Sequence, residues 1–504
     1  MLPKCLVLLV FPGLACADPV QPRFQGVDIA PHVYDGGWEH FVGGGVAAFD
    51  CDGDSRPELY AAGGSNPATL FRNRSNDRVV FAKDTPDVLA ITGVTGAYPL
   101  DIDGDGLLDL AVLRVGEDRL LRGLGGCDFA PFEGALGFTS SDRWTTAFSA
   151  TWESGASLPT LAFGTYVDRT NPDGPFRACD ATLLYRPDGD RYGPPQALEP
   201  GFCALSMLFT DWNRSGVADL RVSNDRHYYV RGGQEQMWKM DDTPRLYTED
   251  EGWRTYALWG MGIASRDLTG DGFPEVYLTS MGDQKFQVFD PGTGGPTWRD
   301  ATYERGTTAH RPHVGGDGRP STGWHAAFGD VNNDGRDDIF VAKGNVEQMP
   351  DAAMDDPNSL LIQTEDGRFV EMSVEASVAS MARSRGAALA DFDNDGRLDL
   401  AVVNRRATLE VWENVTEGGN WLLVEVSGSG VNTGAVGAVI ELRTADRVQT
   451  REITVGGGHA GGHAGLQHFG LGSAAEAELR VIWPDGDTTP WQDVPTNKVF
   501  GVAQ

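Results

Sequence analysis

Asp101-Ile102-Asp103-Gly104-Asp105-Gly106-Leu107-Leu108-Asp109-Leu110-Ala111-Val112-Leu113 decides the fold. Three acids alternate with other residues, a glycine allows a sharp turn, a fourth acid follows, and an apolar β-type run begins at once. The pattern recurs. The other full copies carry Asp50, Asp52, Asp54 and Glu58; Asp267, Thr269, Asp271 and Glu275; Asp330, Asn332, Asp334 and Asp338; and Asp391, Asp393, Asp395 and Asp399. A weaker copy starts at Asp211, with Asn213, Ser215 and Asp219, and a seventh near Thr151–Phe163 keeps the strand pattern without the acids. The starts lie 50 to 63 residues apart. That spacing suits one four-stranded propeller blade per repeat.

Working outward, each loop is flanked by short apolar runs, such as Ile339-Phe340-Val341 and Leu400-Ala401-Val402-Val403, that read as buried strands. A strand such as Gly367–Met372 leads from one repeat to the next, and the last repeat lacks it after Asn414. Pro22–Val27 supplies a spare copy, so the N-terminal strand is expected to complete the last blade and close the ring. Closure removes sheet edges open to unwanted pairing. The expected fold is all-β: a seven-bladed β-propeller over 18–414, then a small β-sandwich-like domain over 415–504.

The residue types in the loops predict Ca²⁺. Positions 1, 3, 5 and 9 offer carboxylate, amide or hydroxyl oxygens, and position 7 a carbonyl; with water these meet the six to eight oxygens calcium prefers. An EF-hand needs Glu at position 12 and flanking helices, whereas position 12 here is Val112 or Val402 between strands. Turn formation alone explains one Asp per turn, not several acids within nine residues, which repel one another without a cation. The weaker copy at Asp211 offers fewer ligands.

Bulk properties agree. The chain has 504 residues, 65 Gly, 28 Pro and a net charge of −31. The acidic balance argues against a nucleic-acid partner. Residues 1–17 read as an export signal: Lys4, an apolar run Leu6–Leu14 too short to span a bilayer, and a cleavage site at Ala15-Cys16-Ala17. Cys16 gives a poor lipobox. A secreted or periplasmic chain is expected, without a membrane span. Four cysteines remain after the signal; proximity favours Cys179–Cys203 and leaves Cys51–Cys127.

The repeats, with Phe328-Gly329 before Asp330, resemble the FG-GAP and VCBS repeats of integrin α-subunit propellers. Gly419-Asn420-Trp421-Leu422, Val455-Gly456-Gly457-Gly458, His468-Phe469-Gly470-Leu471-Gly472 and Val481-Ile482-Trp483-Pro484-Asp485-Gly486 resemble the ASPIC/UnbV domain. Together they resemble the cartilage acidic protein family. The resemblance implies a calcium-binding extracellular propeller without catalytic residues.

Other candidates are weaker. His459, His463 and His468 could form a transition-metal site, but the surrounding glycines argue for a turn region. His310, His313 and His325 flank a glycine-rich loop. Trp38, Trp144, Trp152, Trp253, Trp259 and Trp324 are candidates for carbohydrate stacking or for core packing. Asn73-Arg74-Ser75 and Asn414-Val415-Thr416 are glycosylation sequons. No protease, esterase or nucleotide-binding motif is present. The expected function is binding, adhesion or scaffolding for an extracellular protein or polysaccharide, recognised through the loop face. The alternative is an extracytoplasmic enzyme, either a polysaccharide hydrolase or lyase, or an oxidoreductase with a cofactor in the propeller channel.

Overall fold

The computed structural model describes residues 20–132, 134–172, 178–225 and 230–504. The export signal and Cys16 lie outside them. The described chain is nearly all β, as expected, and Thr302–Arg305 is its one α-helix among the described residues.

Among the described residues, the strands of the repeat region group into seven antiparallel four-stranded units. One of them runs Val94–Leu100, Asp109–Gly116, Arg119–Gly123, Phe129–Pro131. Each acidic loop joins the first strand of its unit to the second. The runs after the loops are buried on both faces, which accounts for their continuous apolar character. First strands of successive units pack side by side all the way round, and the strand Val46–Phe49 meets both Val94–Leu100 and Arg383–Ala390. The units therefore form a closed ring. Phe24–Val27 pairs antiparallel with Glu410–Asn414, register Phe24 with Asn414, so the N-terminal strand closes the last unit as expected.

The C-terminal module is a two-sheet sandwich. Asn420–Ser427 lies between Gln467–Gly472 and Val499–Ala503, and Val439–Arg443 lies between Val448–Glu452 and Ala477–Ile482. Leu422, Val424 and Phe469 from one sheet share a core with Ile440, Leu442 and Leu479 from the other.

Its glycine-rich segment, expected as a turn region, does more. Residues 455–464 enter the bore of the ring as a hairpin and bond to successive inner strands. Ala150 N donates to Val455 O at 3.1 Å, Gly457 N to Met207 O at 2.6 Å and Gly458 N to Ile263 O at 2.7 Å. On the return limb, Ala97 N donates to Ala460 O at 3.2 Å and Ala48 N to Gly462 O at 3.1 Å. Inner strands otherwise leave backbone groups unpaired along the bore, and the hairpin satisfies them. Glycine is needed because the approach is close. A Cβ on Gly45 or Gly96 of the inner strands would stand 1.7 or 1.8 Å from Ala460 O.

Two disulfides join Cys51 to Cys127 and Cys179 to Cys203, the expected pairing. The sequons do not present accessible asparagines. Asn73 is 1% exposed and Asn414 is fully buried. Asn73 Nδ2 donates to Pro57 O and Phe392 O, and Asn414 Nδ2 to Val331 O and Leu398 O. Trp144 and Trp324 are core residues; Trp253 is buried too, while Trp38 is 48% exposed.

Candidate metal loops and the module that covers them

The five full loops share one hydrogen-bond scheme. The first Asp accepts from the turn: Gly104 N and Gly106 N donate to the two oxygens of Asp101, each at 2.8 Å. Asp267 does the same with Gly270 and Gly272, and Asp391 accepts from Asp395 N and Gly396 N. Asp50 and Asp330 follow suit. The ninth-position acid straps the loop to its neighbour strand. Asp109 accepts from Ile102 N at 2.7 Å and Gly123 N at 2.8 Å. Asp399 accepts from Phe392 N and Asn414 N, Asp338 from Val331 N and Gln363 N, and Glu58 from Cys51 N and Asn73 N. Glu275 accepts from Leu268 N at 2.8 Å. The fifth-position acids Asp54, Asp105, Asp271, Asp334 and Asp395 each accept the backbone N–H two residues on.

Three loops gather carboxylates closely. Oxygens of Asp50, Asp52 and Glu58, of Asp101, Asp103 and Asp109, and of Asp391, Asp393 and Asp399 lie within 4.8 Å of one another. In each, the same atom is buried with no hydrogen-bond partner: Oδ1 of Asp52, of Asp103 and of Asp393. An acceptor left bare in that position fits a cation ligand. In the loop at Asp267, Glu275 Oε1 is the bare atom and Thr269 replaces the middle acid. In the loop at Asp330, Asn332 Nδ2 donates to Val20 O at 3.1 Å, so that side chain is partly engaged elsewhere. Among the described residues these last two loops bring no three acids together so closely.

The electrostatics point the same way. Burial, with the neighbouring acids adding, pushes Asp109 up to about 8 and Glu58 up to about 7. Burial raises Glu275 to about 8 and Asp391 to about 7. Asp338 and Asp399 are held well above the carboxylate range for the same reason. Carboxylates so placed resist ionisation unless positive charge arrives. Arginines supply part of it, and the sequence pattern did not single them out. Arg72 pairs with Asp52 at 2.8 Å and Arg122 with Asp103 at 2.7 Å, both from the third strand of the unit.

The two depleted repeats show the contrast. At Asp211 the turn bonds persist, but Asp219 Oδ2 accepts from Trp212 Nε1 and Tyr247 OH, both at 2.8 Å. In the acid-poor loop after Thr151, Arg186 Nε donates to Glu153 at 2.8 Å. In both, protein donors engage the carboxylate.

The C-terminal module sits on this loop face. Glu452 accepts from Asp211 N at 2.8 Å, Thr433 donates to Asp101, and Arg451 pairs with Asp337 at 3.0 Å. Gly472 N donates to Asn333 O at 2.9 Å, and Trp421 packs on Gly396, where a Cβ would lie 2.0 Å from the indole. Part of the loop face on which a partner is expected is thus covered by the C-terminal module.

The histidines are dispersed. His459 is fully buried at the tip of the hairpin. Its Nε2 accepts from Gly43 N at 3.2 Å, so Nδ1 carries the proton donated to Met261 O at 3.0 Å. His459 N donates to His325 Nδ1 at 3.0 Å. His468 Nε2 bonds Gly396 O at 3.0 Å. No candidate metal group among the described residues contains a histidine. Burial lowers His459 and His468 to about 4 and His325 to about 3. His313 faces Glu371 at 3.5 Å and bonds Ser373 Oγ at 3.0 Å.

Comparison with known proteins agrees with this geometry. The FG-GAP-like repeat model matches 50–112, 267–341 and 351–402, and the ASPIC and UnbV model matches 428–504. The chain carries FG-GAP-like repeats and an ASPIC and UnbV domain. It is 24% identical to cartilage acidic protein 1 of Mus musculus over 519 residues, covering 95% of this chain and 76% of that protein. The Homo sapiens protein of that name is also 24% identical, over 526 residues, covering 96% and 76%. These matches support the family resemblance seen in the motifs. Among solved structures, BBS1N in complex with ARL6DN has a TM-score of 0.45 at 11% identity, covering 78% of this chain and 97% of that one. An Agrocybe aegerita protein described as recognising non-reducing terminal N-acetylglucosamine has a TM-score of 0.38 at 13% identity, covering 71% and 88%. The matched FG-GAP regions include the five full loops, with Asp50 and Asp101, Asp267 and Asp330, and Asp391.

Proposed function

We propose that this is an exported calcium-binding propeller that serves as a binding, adhesion or scaffold protein for an extracellular protein or polysaccharide. On this reading residues 1–17 are removed on export, 18–414 form the propeller and 415–504 the ASPIC and UnbV domain. The observation that carries it is the repeated bare oxygen, Oδ1 of Asp52, Asp103 and Asp393, each in a cluster of three carboxylates. Calcium would be held there by positions 1, 3 and 9, with the fifth-position acids Asp54, Asp105 and Asp395 in reach through the same turn. Its role would be structural, stabilising the folded loops by mass action.

The likeness to cartilage acidic protein 1 and the two disulfides support an extracellular setting. Among the described residues no helix is long and apolar enough to cross a membrane. Because the domain occupies the loop face, a partner would engage the other end of the ring. There Trp38 stands exposed above Phe41 and Trp144. Residues 455–464, bonded to the inner strands in the bore, speak for this reading over an oxidoreductase with a cofactor in the channel.

Elemental analysis and a thermal melt with and without chelator test the calcium claim. Calcium in the purified protein and a lower melting temperature in EDTA support it. Metal-free protein whose melt ignores EDTA removes it.

A further inference from the structure

Between the ring and the ASPIC and UnbV domain lies a cleft of about 670 Å³. That is within the roughly 300–1,000 Å³ of sites for organic ligands. Leu100 and Leu389 from the ring and Leu423 and Val436 from the domain supply apolar wall. At one end, where the cleft meets a second cavity of about 200 Å³, stand Arg266 and His463.

Arg266 ends the strand Gly260–Arg266. Its guanidinium has no hydrogen bond or ion pair with any described residue. Asp337, whose charge it feels, is held by Arg451 at 3.0 Å, and Arg451 adds charge of the same sign. His463 opens onto the cleft and its ring is likewise without a hydrogen-bond partner among the described residues. Arg266 is half-buried and faces the cleft, and a guanidinium kept partly from water without an anion is costly. A carboxylate answers it with two parallel hydrogen bonds. Asp50, Asp52, Asp101, Asp128, Asp337, Asp391 and Glu425 also line the cleft, and Arg266 is the one arginine or lysine among its described lining residues, so an anionic head has its partner there.

We propose that this cleft binds a small apolar carboxylate, its head on Arg266 beside His463 and its hydrocarbon body against Leu389, Leu423 and Val436. The site is separate from the partner surface proposed above; because the loop acids Asp50, Asp52, Asp101 and Asp391 line it, calcium is held constant in the test.

The test is titration calorimetry of the full chain in calcium-containing buffer with octanoate, octanol and octyltrimethylammonium, each kept below micelle formation. Saturable octanoate binding at one per chain is expected, with weaker or no binding of the other two. Arg266→Gln is expected to weaken octanoate by at least roughly tenfold, and His463→Gln by less. The absence of saturable octanoate binding to the parent overturns the proposal, as does equal binding of octanol. Unchanged affinity in either folded variant overturns it too. Calcium content of the same samples separates a failed cleft from failed loops.

Discussion

The side-chain amide of Asn414 donates to the carbonyl oxygen of Val331 at 2.8 Å, reaching from the last unit of the ring into the loop of the unit before it. Asn73 makes the equivalent bond to Phe392 O at 2.8 Å, from the first unit back to the last. Each asparagine is held by the hydroxyl residue two places on, since Ser75 N and Thr416 N donate to the Asn Oδ1 at 2.9 and 3.0 Å. The Asn-x-Ser/Thr triplets are thus fasteners between units.

Asn414→Ala should lower stability by about 1–3 kcal/mol, because it strands buried carbonyls. Thermal denaturation measures it. Produced in a glycosylating host, the parent should carry no glycan on Asn73 or Asn414, which intact mass reports; a sugar on either would contradict the packing.

Asp103→Asn and Asp393→Asn should each remove a calcium ion, or weaken its binding, with a fall in melting temperature that EDTA no longer deepens as far. Asp219→Asn should leave calcium content unchanged, because Trp212 and Tyr247 already occupy that carboxylate. Metal analysis of the three variants side by side distinguishes loop from imitation.

Gly45→Ala should destabilise by about 3 kcal/mol or expel the hairpin, because the new methyl meets Ala460 O at 1.7 Å before relaxation. Limited proteolysis reads the expulsion directly: cleavage within residues 455–464 should appear in the variant and not in the parent.

Acid should destabilise the calcium-loaded protein through its buried histidines. His459 has a folded value of about 4 against 6.5 unfolded, so the unfolded chain binds the proton more readily. Stability is full above 6.5 and is lost as pH falls from there through about 4, to an extent of roughly 3 kcal/mol for this residue. Chemical denaturation across that range should show a shallower loss in His459→Gln; parallel curves would mean the ring protonates without cost.

The chelated protein should show the opposite trend at higher pH. Asp109 and Glu275, raised to about 8, favour the folded state while protonated, and that contribution is lost as pH climbs through about 8. Adding calcium should flatten the slope, which stability curves at pH 5 and pH 9 would reveal.

Much of this was legible because the acidic loops are local. Nine residues from Asp101 to Asp109 specify their own turn bonds and their flanking strands. The closing strand at Phe24–Val27 was legible because it repeats the motif at Gly367–Met372. The hairpin in the bore was not, because glycine records only that room is scarce and not which surface takes the room. The same limit applies to Arg72 and Arg122, whose partners depend on strand register, and to Arg266, whose isolation is a property of the assembled cleft. The sequons misled because the triplet states a local turn, while burial is decided by the neighbouring unit.

The hairpin enters and leaves the bore by one face, so nothing is threaded and the ring can close before its stopper arrives. Without residues 455–464 the inner strands of the ring would face each other across water with the donors and acceptors that the hairpin pairs left open. A product truncated ahead of Val455 would be frozen in that state, a hollow crown whose rims seek other strands.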